Sequence, residues 1–431
     1  MFRTWLPLVA SWLLMSIELP AINAIVARLA NPEISLAAYG GVVYPIALII
    51  EAPIIMLLAA STALSRDWVS YQKLKKITLW MGGALTALHL LIALTPIFDF
   101  ITKVLLNSPA EVIEPARKGL LFLAPWTFAI AYRRFQQGAM IRFGHSKMVG
   151  QTTFVRLITV SIVLAIGYFV KTIPGPILAG SAQGLGVTAE AIYAGLVVRK
   201  IKPLIRTAVP AKQSLTVKRF VAFYLPLALT SALWLLWQPL ISAAISRMPN
   251  ALESLAVWSV ISGLLFMFRS PGVAYNEVMV ALLEEPDSKP VLKTFARNIA
   301  LGVTGVILIF VLTPLSRLWL VFIAAIPEDL IQIGRVALAV AIPLGVLNVY
   351  ISYFQGFLVQ RSTTRGVAEA VVAFLSAMIV ILAVGVVTKA FEGIYVATAA
   401  FTIAHLIQTF WLGIRSRTAR RETVQEVKLY G

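Results

Sequence analysis

Apolar residues run along this chain in stretches long enough to cross a bilayer, separated by short polar segments in which Lys and Arg collect. A membrane helix needs roughly 20 predominantly apolar residues. The pattern predicts six such helices in the first half, over residues 6–27, 36–64, 77–100, 119–140, 149–170 and 177–198. It predicts six more in the second half, over 220–246, 255–283, 299–319, 336–360, 368–387 and 394–414. No polar stretch is long enough for an independent soluble domain. The predicted fold class is therefore an all-α polytopic membrane protein with 12 transmembrane helices. Its parts are a six-helix half over 1–198, a basic cytoplasmic linker over 199–219, a second six-helix half over 220–414 and a basic cytoplasmic tail over 415–431. The apolar stretch 6–15 has the character of a signal peptide. It repeats in mid-chain at 223–231, which marks both as the opening helix of a half.

The repetition is general. Leu6, Pro7, Pro20, Arg28, Leu36 and Ala37 recur 219 positions later as Leu225, Pro226, Pro239, Arg247, Leu255 and Ala256. Thr95, Pro96, Pro109, Pro125, Gln137 and Gly138 recur 218 positions later as Thr313, Pro314, Pro327, Pro343, Gln355 and Gly356. Six is an even number, so both halves enter the membrane from the same side. The repeats are thus parallel, related by an axis along the membrane normal. Duplicated bundles of this kind are usually transporters, because two similar halves can rock about a site that lies between them.

Composition narrows the function. The chain is 59% hydrophobic and 13% charged, against roughly 25% charged for a soluble domain. It has no cysteine, which excludes disulfides, thiolate metal sites and thiol catalysis. The three histidines, His89, His145 and His405, show no metal-ligand spacing. No phosphate-cradling GxxxxGK run is present, which argues against ATP-driven pumping. A cofactor-free, metal-free, non-enzymatic monomer is expected. Of the Lys and Arg outside the spans, 24 fall with the N-terminus and the even-numbered loops and 9 on the other side. The positive-inside rule then places both termini in the cytoplasm of an inner (plasma) membrane. The net charge of +18 is mainly this topology signal. Basic residues spread over many loops form no nucleic-acid surface, whereas the linker suits anionic membrane lipids.

Charges left inside spans are the candidate chemistry, since each costs roughly 2.5–3.5 kcal/mol at mid-bilayer on insertion scales. Glu51 lies near the middle of the second span between Pro45 and Pro53, where a local break is expected. Its repeat counterpart is Arg269, followed by Pro271 and Gly272, where another local break is expected. Glu51 and Arg269 should lie at similar depth on equivalent helices, and are expected to pair across the cleft as a gate. The alternative is that each is satisfied within its own half. Glu18 precedes Pro20, and its counterpart Trp237 precedes Gln238 and Pro239. A proline just after a polar side chain frees carbonyls on a helix wall, so Glu18 is a candidate for substrate or for a coupling proton or sodium ion. Glu51 is a second candidate for the coupling ion. Asn23, Gln238 and Asn348 are weaker polar candidates. Arg133 and Arg134 in the fourth span and Arg156 in the fifth favour an anionic substrate, since guanidinium binds carboxylate or phosphate bidentately. Snorkelling to the cytoplasmic surface is the competing reading for these three. Glu277 and Glu369 are expected to be solvated near cytoplasmic ends, and Asp99 to sit at the external rim. Glu190 is expected to pair with a basic neighbour, His89 to hydrogen-bond in the core, and Gly184 and Gly186 to allow close helix packing.

The stretches IELPAIN (17–23), LAAYG (36–40), GALTALHLLIAL (83–94), RKGLLFLAPW (117–126), YLPLAL (224–229) and QPLISAAISR (238–247) resemble the multidrug/oligosaccharidyl-lipid/polysaccharide (MOP, MATE-like) exporter superfamily. Within it they are most similar to the progressive ankylosis (Ank) family. The resemblance implies a V-shaped bundle with a cleft lined by spans 1, 2, 7 and 8, and an acid in the first helix at Glu18. It also implies alternating-access export of a small organic or phosphorylated anion such as citrate, pyrophosphate or ATP. Compact tails and short loops point to a prokaryotic member. A proton- or sodium-coupled multidrug antiporter and a flippase for a lipid-linked saccharide stand as alternatives.

Overall fold

The computed structural model describes residues 2–210, 215–283, 285, 288–360 and 365–430. Residues 211–214 of the predicted linker, Gly431 of the tail, and the side chains of Arg3, Lys212, Arg361, Arg420, Arg421 and Lys428 in the positive-side tally lie outside the description.

Among the described residues all regular structure is helical. The first half runs α1 (Phe2–Ser16), α2 (Glu18–Val26), α3 (Pro32–Leu36), α4 (Tyr44–Glu51), α5 (Leu57–Leu64), α6 (Trp68–Leu94), α7 (Ile97–Asp99), α8 (Ala110–Leu123), α9 (Pro125–Arg142), α10 (Lys147–Val170) and α11 (Gly175–Thr207). The second runs α12 (Val217–Leu235), α13 (Trp237–Ile245), α14 (Ala251–Leu282), α15 (Ser288–Leu312), α16 (Leu315–Leu318), α17 (Glu328–Val340), α18 (Leu344–Gln360), α19 (Arg365–Thr388) and α20 (Gly393–Tyr430). The linker differs from expectation: the sixth helix continues into it as far as Thr207. Likewise α20 carries on through the tail, to Tyr430.

Among the described residues nine stretches are long and apolar enough to cross a membrane. A tenth is the pair α17 and α18, bent by 40° at its junction. The other two of the 12 predicted spans, α8 with α9 and α11, are helical but more polar. The first carries Arg133, Arg134, Gln136 and Gln137, and the second Gln183 and Glu190. Large apolar side chains such as Trp80, Phe169 and Val387 are 80%, 79% and 83% exposed, as a lipid-facing surface requires. At the predicted external rim Lys103 and Arg117 donate to Asp99 and hold its carboxyl below the usual range.

The duplication is visible in the backbone. Asn31 and Asn250, Asn107 and Ala325, and Lys171 and Lys389 all adopt left-handed φ between 49° and 57°. Each pair is one repeat apart. They end or begin helices at equivalent turns, where such a residue terminates a helix without a long loop. The close crossings repeat too. A Cβ on Gly138 would lie 2.5 Å from Leu58 O and from Ser61 Cβ, and one on Gly356 would lie 2.5 Å from Met279 Cβ and 3.5 Å from Asn276 O. Leu58 and Asn276, and Ser61 and Met279, are again repeat partners.

The compact units do not coincide with the sequence halves. One consists of Met1–Ala24 with Ala244–Gly431, the other of Ile25–Ala243. The opening span of each half has therefore left its own half. In the first unit α1 packs along α14, where Trp5 Nε1 donates to Pro271 O at 3.1 Å and Trp12 Nε1 to Glu277 Oε1 at 2.9 Å. In the other unit α12 packs on α4. There Tyr224 Oη donates to Pro53 O, and Ser231 Oγ to Ala52 O at 3.2 Å. Trp5 and Tyr224 are repeat partners, as are Pro271 and Pro53.

The prolines act unequally. Pro20 and Pro239 cannot donate to Ser16 O and Leu235 O, and the helices part just before them, at Ile17 and Leu236. Pro53 lies in a real interruption, Ala52–Met56, between α4 and α5. The expected breaks at Pro45 and Pro271 are not present. Pro45 occupies the first turn of α4, where its missing N–H is harmless, directly after a π-helical run, Ala37–Val43. Pro271 lies within an unbroken α14. One missing bond, to Met267 O, is tolerated within this long helix; nearby, Ser270 Oγ donates to Phe266 O at 2.9 Å and Trp5 Nε1 donates to Pro271 O.

Overpacking a crossing of this kind costs about 1–3 kcal/mol. Gly138→Val and Gly356→Val are each expected to lower thermal stability in detergent by that order. Gly83→Val, whose Cβ would meet nothing within 4 Å, serves as the reference. Equal stability of all three variants would contradict the close crossings.

Candidate functional site

In the Ile25–Ala243 unit the helices α9, α10 and α11 gather a buried charge cluster. Gly186 lies against Val160 and Arg156, which lets α11 approach α10 one turn before Glu190. Glu190 is fully buried. Its Oε2 accepts from Arg133 Nη1 at 2.9 Å and lies 3.7 Å from Arg156 Nη1. Its Oε1 accepts from Gln137 Nε2 at 3.1 Å, Thr152 Oγ1 at 3.3 Å and Thr153 Oγ1 at 3.4 Å. One carboxylate thus holds two guanidiniums, and hydrogen bonds fill its remaining lone pairs, the condition under which a buried ion pair is tolerated. Arg133 and Arg156 are structural partners of Glu190 rather than snorkelling side chains.

Arg134 points elsewhere, as adjacent helical residues must. It is half-buried, makes no hydrogen bond or ion pair among the described residues of its unit, and its Nε is buried without a partner. Glu51 is 2% exposed at the end of α4, immediately before the Ala52–Met56 interruption. Arg134 is its strongest charged neighbour, followed by Arg133 and Arg156. Gln238 belongs to this unit too, buried on α13 with its Oε1 unpartnered.

The other unit holds Arg269. Its Nη2 donates to His405 Nε2 at 2.9 Å. With the Asn348 amide turned so that Oδ1 faces the guanidinium, Asn348 accepts from Nε at 2.9 Å and Nη2 at 3.1 Å. The guanidinium carbon stands 5.2 Å from the Phe401 ring centroid, within cation–π range. All these partners are neutral. Glu18, 6% exposed, opens α2 just after the Ile17 break. Asn23 donates to Ser259 O at 2.8 Å and accepts from Ser259 Oγ at 3.2 Å, a pairing that ties α2 to α14.

The structure therefore brings together Glu51, Arg133, Arg134 and Arg156, and separately Arg269 with Asn348. Glu277 is bonded to Trp12, and Glu369 is paired with Arg365 and Arg415. His89, fully buried, donates from Nε2–H to Leu120 O at 2.8 Å and accepts at Nδ1 from Thr127 Oγ1 at 3.0 Å, a core role. Sequence reasoning missed His405 as the partner of Arg269. The two are 136 residues apart, and no spacing rule links them. Among the described residues no group of three His, Cys, Asp or Glu could hold a metal ion.

The fold is that of MOP-superfamily membrane transporters. No family model matches the sequence, and no curated protein matches it. The solved structures that resemble it include an inward-facing multidrug resistance MATE family transporter of the MOP superfamily (TM-score 0.73, 13% identity, covering 94% of this chain and 96% of that one). A MOP superfamily transporter from Pyrococcus furiosus gives a TM-score of 0.68 at 14% identity, covering 97% and 96%. The lipid II flippase MurJ, in an inward closed conformation, gives 0.69 at 14% identity, covering 95% and 87%. These likenesses agree with the all-α, 12-helix membrane architecture. They do not bear out the closer resemblance to the progressive ankylosis family.

Removing one member of a buried pair costs about 3–5 kcal/mol. Glu190→Gln, which strands Arg133 and Arg156, is expected to lower stability by that order in a detergent melt. A variant as stable as the parent would show that the cluster is not an obligate pair.

Proposed function

We propose that the chain is a secondary transporter that exports a small organic or phosphorylated anion by alternating access. The observation that carries the reading is that, of the four arginines inside the predicted spans, two have no ion pair among the described residues of their units: Arg134 in the Ile25–Ala243 unit and Arg269 in the other. An unpaired guanidinium in a membrane interior is expensive to hold. It is strongest when it meets an oxyanion, which it binds through charge-assisted, bidentate hydrogen bonds. Glu51, lying in the field of Arg134, balances that charge when no cargo is bound and yields it to a competing oxyanion. The Pyrococcus furiosus transporter is described as having a binding pocket of reverse polarity that suggests a different function, so pocket polarity differs among proteins of this fold. Both termini lie in the cytoplasm of the plasma membrane, a proton or sodium ion is the candidate coupling ion, and the working unit is a monomer in contact with anionic lipids.

Efflux of radiolabelled citrate, pyrophosphate and ATP from proteoliposomes tests the proposal. At least one anion is expected to leave saturably. Losing a charge-assisted hydrogen bond is worth about 1.5–3 kcal/mol, so Arg134→Ala and Arg269→Ala should each slow efflux by at least about tenfold. No anion efflux, with pH-driven extrusion of cationic dyes instead, would point to the drug-antiporter reading. Neither activity would point to the lipid-linked flippase.

A further inference from the structure

Along α20 of the Arg269 unit runs a buried polar stripe: Thr402 and Gln408 stand one turn either side of His405, and the three are 7%, 0% and 0% exposed. Neither amide atom of Gln408 has a partner among the described residues, and Thr402 Oγ1 is likewise unsatisfied. Buried polar atoms are nearly always hydrogen-bonded, and those that are not mark an absent water, ion or ligand. His405 itself is committed at both ring nitrogens. An arginine can only donate, so Nε2 is the acceptor toward Arg269, and Nδ1–H donates to Phe401 O at 2.8 Å. The ring is clamped edge-on by Phe401 and Phe374, with centroids 4.3 Å and 4.8 Å away. Held in this way, His405 is neutral. It cannot take a proton on Nε2 while Arg269 donates to it, since that would set two bare cations side by side.

An oxyanion changes this. We propose, resting on the anion-export reading above, that His405 is the proton-binding partner of Arg269, so that an oxyanion and a proton are bound and carried together. When a carboxylate or phosphate oxygen reaches the guanidinium, the Arg269 Nη2–H bond turns from His405 Nε2 to the anion. Nε2 then accepts a proton from water, and the new Nε2–H donates to the same anion. The Nδ1–H bond to Phe401 O stays in place and fixes the ring. Two cations now face one anion, and a dianion leaves the site neutral. Release reverses both steps, returning the proton to water. Gln408 and Thr402 supply the unsatisfied donors and acceptors through which water can reach the ring.

The charged groups around His405 support the pairing. From α14 comes Arg269, from α18 the neutral Asn348, and from α19 the Phe374 ring. α17, which also packs against α20, carries Glu328, Asp329 and Arg335, and Arg269 is the charged group that acts most strongly on His405. The ion pairs of Glu369 with Arg365 and Arg415 lie further along α19 and α20 and are closed among themselves. The groups bonded to Arg269, His405 and Asn348, are both neutral and neither is a carboxylate. Because binding is reciprocal, the anion must bind more tightly as His405 becomes easier to protonate.

The test is efflux of citrate and pyrophosphate from proteoliposomes between about pH 5 and 8, with a pH-indicating dye trapped inside. In the parent, efflux should quicken toward acid pH by up to about tenfold per unit, and the dye should report protons leaving with the anion. His405→Gln keeps an acceptor for Arg269 but cannot titrate, so whatever efflux remains should be independent of pH. If the parent exports anions without moving protons, or His405→Gln keeps the parent's pH profile, the proton-carrier role is wrong while anion export stands. If the parent exports no anion at any pH, the functional reading itself fails and this inference with it. The dye measurement on the parent decides the matter even if the variant does not fold.

Discussion

In a bilayer interior a backbone carbonyl that reaches beyond its own helix has no water to turn to, and each unsatisfied group costs several kcal/mol. This constraint organises the molecule. Pro53 and Pro271, one repeat apart, each lie where the second span of a half turns polar. Each Pro carbonyl is captured by a side chain from an opening span: Tyr224 in one unit, Trp5 in the other. The donors are themselves repeat partners, and each has come from the other half of the sequence. Reciprocal capture explains why the compact units exchange their first helices, which a simple folding of each half on itself would not do.

The same two positions carry the electrostatics. Glu51 and Arg269 stand two residues before Pro53 and Pro271, so equivalent places in the two repeats bear opposite charges. In the Ile25–Ala243 unit the acid precedes a true interruption and faces a field of arginines. Of these, Arg133 and Arg156 are consumed by Glu190. In the unit of Arg269 the arginine lies on an unbroken helix and, among the described residues, meets His405, Asn348 and an aromatic ring. Equivalent positions of the two repeats thus produce two different sites, and the difference lies in the local helix and in which polar side chains the remaining helices present. Glu190 has its repeat counterpart in Gln408. One anchors a saturated ion cluster, and the other is a neutral amide left open beside His405.

Much of this was legible in the sequence. The apolar runs located the spans, and the repeat offsets of 218 and 219 anticipated the paired left-handed turns and the paired crossings at Gly138 and Gly356. Prolines 20, 53 and 239 marked real discontinuities. Pro271 did not, because a proline's effect depends on the packing that holds the helix on both sides of it, and the contact there comes from Trp5, 266 residues away. The exchange of opening helices was hidden for a similar reason: hydropathy records that a helix is apolar, not which unit it packs against. The cluster on Glu190 was anticipated only as an unspecified basic partner. The link from Arg269 to His405 joins two helices that neither period nor repeat connects.

A single binding measurement bears most directly on the account. Pyrophosphate is titrated calorimetrically into the purified full-length chain and into Arg269→Gln. The account predicts saturable binding to the parent and a loss of at least about tenfold in affinity in the variant, the scale of one charge-assisted hydrogen bond to an anion. Binding of equal strength in both proteins would show that Arg269 does not receive the anion.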